Sequence, residues 1–145
     1  MKGENMTAKE YLGQISVLKR KVAQKKEQNK QLRNEFIYLK GINTSEKVSS
    51  SPKTDGLENA VIRIVDMEQD TANTIIEMEE KINEIINKIH ELNNPDQIEC
   101  LYLRYVVGEN FENIAVNLHL SYHRTCHIHG EALKEFSARF IQDSN

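Results

Sequence analysis

Apolar positions recur along this chain with three rhythms. From Ala8 to about Lys40 they follow a heptad, with Ala8, Ile15, Val22, Asn29 and Phe36 at one seam position and Tyr11, Leu18, Lys25, Leu32 and Leu39 at the other. Asn29 and Lys25 are its polar exceptions; a buried Asn at such a position sets register and partner number, or else the pair marks a loosely packed middle. Gly41 to Gly56, GINTSEKVSSSPKTDG, is Ser-rich, holds one Pro and has no apolar period, so it reads as a flexible linker. A cleaner heptad then runs through Leu57, Val61, Ile64, Glu68, Thr71, Ile75, Met78, Ile82, Ile85, Ile89 and Leu92 to the stop Asn93-Asn94-Pro95. Val65, Ala72, Ile76 and Ile86 widen that stripe, which predicts contact with more than one neighbour.

Beyond Pro95 the period changes to that of short globular helices. Phe111 to Leu118 carries Ile114, Ala115 and Leu118 on one face, His119 and Leu120 make a short connection, and Ser121 stands where a helix N-cap is needed. Thr125, Ile128, Ala132 and Leu133 then share an inward face. The layout is that of a helix-turn-helix, in which a small residue such as Ala115 lets two steeply crossed helices approach. In such a unit the first turns of the second helix enter the major groove. Tyr122, His123, Arg124, Cys126 and His127 are therefore the expected DNA-contacting side chains, with Ser121 starting the helix.

Leu101 to Leu133, LYLRYVVGENFENIAVNLHLSYHRTCHIHGEAL, resembles region four of bacterial sigma factors, in the apolar helix ending Tyr105-Val106-Val107-Gly108, in Ile114-Ala115, and in Ser121, Thr125, Ile128 and Ala132-Leu133. The whole chain resembles small regulators of Gram-positive phages and integrated elements, of the ArpU and RinA late-transcription kind, which place a sigma-like helix-turn-helix after a long helical segment. The resemblance implies an all-α fold: a coiled-coil hairpin followed by a sigma region four-like DNA-binding domain. It also implies sequence-specific regulation of transcription on double-stranded DNA, in the cytoplasm of a bacterial host. The alternative is a module that docks on RNA polymerase or another regulator without reading DNA. One departure stands out: sigma modules present several Arg or Lys on the reading helix, whereas Arg124 is the sole Arg or Lys between Phe111 and Leu133.

Charge divides the chain into the same segments: a basic helix to residue 40, the linker 41–56, an acidic helix 57–95 and the reading domain 96–145. Residues 1–40 hold ten Lys and Arg against four Glu, a net of +6; residues 57–95 hold three against nine Asp and Glu, a net of −6. Two heptad helices of opposite sign are suited to lie along one another, within one chain or by exchange between two, and a homodimer is expected. Phosphate contact by the basic cluster Lys19-Arg20-Lys21 and Lys25-Lys26 is the rival use of this helix, against its pairing with the acidic one. Residues 96–145 hold four cations against seven acids, so a single reading domain cannot rely on counterion release for tight binding.

Composition removes other classes. The chain has 145 residues, 39% hydrophobic and 28% charged, and no run approaching the roughly 18 apolar residues of a membrane span. MKGENMTAKEYLG lacks a signal-peptide stretch, and Cys100 and Cys126 form no disulfide framework; Cys100 reads as a core residue. No Gly-rich phosphate loop, nucleophile motif or dinucleotide pattern is present, so neither an enzyme nor a cofactor is expected. His123 and His127, four apart and close to Cys126, His119 and His129, lack a second paired set of ligands, and no metal site is expected. An imidazole gains charge as pH falls through the neutral range, so DNA affinity should strengthen between pH 8 and 6 in anisotropy titrations.

Overall fold

The computed structural model describes residues 6–45 and 53–141, with side chains described for 6–42 and 56–141. Every regular element among them is helical: α1 (Ala8–Ser45), α2 (Lys53–His90), α3 (Pro95–Leu101) continuing into a π-helical stretch (Tyr102–Val107), α4 (Phe111–Leu118) and α5 (Tyr122–Phe140). The two long helices pack as a hairpin. Helix extends from both sides into the span 41–56 whose composition reads as a linker: α1 runs on to Ser45 and α2 opens at Lys53, while positions 46–52 lie outside the described residues. Propagation explains the extension, because each residue added to an existing helix gains a hydrogen bond. A Gly such as Gly41 costs only about 1 kcal/mol against that.

Local chemistry sets several ends. Thr7 and Glu10 cap α1 reciprocally, the Glu10 N–H donating to Thr7 Oγ1 at 3.1 Å and the Thr7 N–H to Glu10 Oε1 at 2.9 Å. Asn94 caps α3 by accepting from the N–H groups of Asp96 and Gln97, with Pro95 at the first helical position, where a missing donor is harmless.

The chain forms two compact units, residues 1–19 with 80–145 and residues 20–79. The first unit holds the larger core. Leu12, Ile15, Ile85, Ile89, Cys100, Leu101, Ile114 and Phe136 are fully buried. Leu12 lies off the heptad seam, and beside it the Tyr11 ring of α1 lies 5.8 Å from the Phe136 ring of α5. Lys88 of α2 donates to the Tyr11 hydroxyl at 2.8 Å, and that bond is the main reason its amine is held above the usual lysine value. Lys81 and Lys88 both reach Glu84, and Lys81 is the first cause holding that carboxyl below its ordinary value. Arg139 of α5 donates to the Glu91 carbonyl at 2.7 Å.

In the second unit α1 and α2 meet along a single seam. Val22, Leu32, Ile64, Thr71 and Ile75 are buried, while Lys25, Asn29 and Glu68 are half-buried within it. Lys26 pairs with Glu79 at 3.4 Å and Arg33 with Glu68 at 3.0 Å, which gives the opposite charges their antiparallel match. Each exposed pair contributes only about 0 to 1 kcal/mol. Val65 and Ile76, expected to widen the stripe toward a further neighbour, are exposed, whereas Ala72 is half-buried.

Asn29 carries a cost there, because its Oδ1 is buried without a hydrogen-bond partner. Asn29→Leu should raise the urea midpoint by an amount equivalent to about 1–3 kcal/mol with an unchanged slope, the penalty of an unsatisfied buried acceptor. A lowered midpoint would mean that the amide is satisfied in solution.

Candidate nucleic-acid interface

The helix-turn-helix geometry is assembled from α4, a two-step turn and α5. Asn110, which the apolar pattern alone does not single out, caps α4 by accepting from the Asn113 N–H at 2.8 Å. His119 ends it in the left-handed region at φ 58°, where turns of this kind often hold Gly, and the Leu120 N–H returns to the Ala115 carbonyl at 3.0 Å. Ser121 Oγ accepts from the Arg124 N–H at 3.0 Å and its carbonyl accepts from the Thr125 hydroxyl at 2.9 Å. That second bond lets Thr125 be fully buried without loss of a hydrogen bond.

Beneath the unit, Cys100, Ile114 and Ile128 form a closed cluster, with Leu103, Phe111, Leu118 and Leu120 packed against it. Ala115 is buried at the crossing and Ala132 farther along α5. Burial pushes the Cys100 thiol up to about 11, with Cys126 adding to the shift, so Cys100 acts as a neutral core group.

The outward side divides the six expected contact residues. Ser121, Tyr122, His123, Arg124 and His127 are exposed on the first turns of α5. Cys126 is half-buried instead, because its position turns toward Tyr122 one turn earlier. A hydrogen bond with Cys126 is the first cause holding the Tyr122 phenol above its usual value; the nearby Glu112 carboxylate acts in the same direction. His127 Nε2 lies 3.2 Å from the Glu131 carboxylate one turn further along the helix. The start of α5 also carries the partial positive charge of a helix N-terminus, which attracts anions without a cationic side chain.

Sequence periodicity did not reveal a second cluster, on the inner flank of α5. His129 sits half-buried, its Nε2 hydrogen-bonded to the Tyr105 hydroxyl at 2.8 Å and its ring edge-on to Phe111 at 4.9 Å. Burial, then the charges of Arg104 and Lys9, lowers its pKa to about 4, so it is neutral near pH 7 and stands apart from the exposed histidines. The Arg104 guanidinium lies 4.5 Å from the Phe111 ring centroid and donates to the Glu109 carbonyl. Gly108 closes the π-helical stretch at φ 92°, and its N–H and that of Glu109 both return to the Leu103 carbonyl at 2.9 Å. Lys19 of α1 donates to the neighbouring Val106 carbonyl, so one member of the basic cluster serves the fold. The Tyr105-to-His129 spacing of 24 residues hides this cluster from any local pattern.

No family, curated protein or solved structure matches the chain. Among the described residues no group of three or more His, Cys, Asp or Glu is placed to hold a metal ion, and no helix is long and apolar enough to cross a membrane.

His129 gives the fold a pH dependence of known sign. Its folded pKa lies below the ordinary 6.5, so the unfolded chain binds the proton more readily and stability falls as pH drops from about 6.5 toward 4. Thermal melts across that range should show the fall, and His129→Gln should flatten part of it; an unaltered slope in the variant would assign the loss to other groups.

Proposed function

We propose that this chain is a sequence-specific DNA-binding transcription regulator, of the phage or prophage late-gene activator type, whose α5 enters the major groove. The observation that carries the reading is the division of α5 between its two sides. Thr125, Ile128 and Ala132 are buried against the unit while Ser121, Tyr122, His123, Arg124 and His127 stand together in solvent at its N-terminal turns. Tyr122 and His123 read base edges in this arrangement, and Arg124 contacts a phosphate with help from the helix N-terminus. One cation per motif leaves each copy with modest affinity, which a paired regulator overcomes by binding two half-sites together.

A second reading has its own observation. Val116 on the outer side of α4 is 73% exposed, and Tyr122, which is close enough to feel the Glu112 carboxylate, is 52% exposed. Together with the net −3 of residues 96–145, this surface suits a protein partner such as RNA polymerase.

Gel shifts on promoter regions of the host element separate the two. Loss of one good base contact weakens binding by about 1–3 kcal/mol, so Tyr122→Ala and His123→Ala should each reduce specific retention roughly tenfold or more while helix content stays constant. Arg124→Gln should weaken all sequences alike and reduce the salt slope by about 1. Retention by polymerase alone, lost on Val116→Glu, would support the second reading and exclude the first.

A further inference from the structure

One flank of the seam in residues 20–79 stays open. On α2 the heptad positions beside it carry Ile62, Val65, Gln69, Ala72 and Ile76, steps of three and four residues that draw a single stripe about 20 Å long. Ile62, Val65 and Ile76 are 57%, 45% and 52% exposed. Exposed Asp66 lies on its outer edge. The same flank of α1 is basic. Lys26 and Arg33 are placed on it by their ion pairs to Glu79 and Glu68, and heptad register adds Lys30 and the exposed Ile37.

We infer that a second copy of this chain docks on this flank, its α1 lying antiparallel over the Ile62–Ile76 stripe while its α2 receives the first copy's α1 in return. Rotation by 180° about an axis along the helices performs both contacts at once, so the interface is self-complementary. Charge selects this occupant and orientation. Between residues 20 and 42 α1 holds seven Lys and Arg against two Glu, whereas between 57 and 79 α2 holds one Arg against six Asp and Glu. A helix covering the stripe must bring apolar groups together with cations for the acidic α2, and α1 of this chain brings Ile37 with Lys30. Two α2 helices face to face would set acid against acid. Because the axis runs along the helices, residues of the second copy keep the level they have within one chain. The inference does not depend on whether α5 reads DNA.

Sedimentation equilibrium of the full chain at micromolar concentration tests it, with circular dichroism as the control for folding. The natural chain should sediment as a dimer, and Ile62→Lys combined with Ile76→Lys as a monomer of unchanged helix content, since both positions face solvent in the single chain. Lys30→Glu should weaken the dimer about tenfold or more, since it sets a further acid against the acidic α2. A monomeric natural chain overturns the inference, and so does a dimer that survives the paired Ile substitutions. A dimer indifferent to Lys30→Glu overturns the α1-on-α2 arrangement. If the natural chain is monomeric and Lys30→Glu weakens only DNA retention, the basic ridge serves nucleic acid and no second copy docks there.

Discussion

What the first turns of α5 can present depends on the burial of its later turns. Phe136 is fully enclosed, 5.8 Å from the Tyr11 ring and 4.9 Å from that of Phe140, and Ala132 and Ile128 continue the buried line back toward the turn. Tyr11 is itself held by the amine of Lys88, so the start of α1 and the end of α2 both grip the far half of the helix. A buried Phe is worth about 3–5 kcal/mol, far more than any surface pair in the chain. The exposed side chains from Ser121 to His127 are thus displayed on a helix whose axis is set elsewhere, which is what precise contact with a partner requires.

The same arrangement explains why the ends of the long helices belong with the helix-turn-helix. Lys19 reaches the Val106 carbonyl, where the π-helical stretch before Gly108 leaves acceptors that an α-helix would have used. Arg139 performs a similar service for the Glu91 carbonyl just past α2. Cations that composition offers to a nucleic acid are in part spent on satisfying backbone acceptors. Arg124 is left as the permanent cation among residues 121–127 at the start of α5.

Residues 20–79 are built on a different balance. One seam is buried, Asn29 leaves an acceptor unsatisfied in it, and apolar residues remain on the flank. Opposite charge chooses which helix lies beside which, while contributing little to stability.

The features legible from the chain are those made by residues within a few positions of each other. The heptads of α1 and α2, the stop at Asn93-Asn94-Pro95, the Ser121 cap and the inward placement of Ile114, Ala115, Thr125 and Ile128 all follow from helical period and capping chemistry, which act over three or four residues. Tertiary structure decided what depends on distant segments. It buried Leu12, which lies off the heptad seam, carried helix into the span that reads as a linker, and joined His129 to Tyr105, where burial keeps the imidazole neutral. Lys19 and Val106 lie 87 residues apart, Lys88 and Tyr11 77. Periodicity states which face of a helix is apolar; only packing states which neighbour covers it, and that neighbour sets burial, charge and the side left for function.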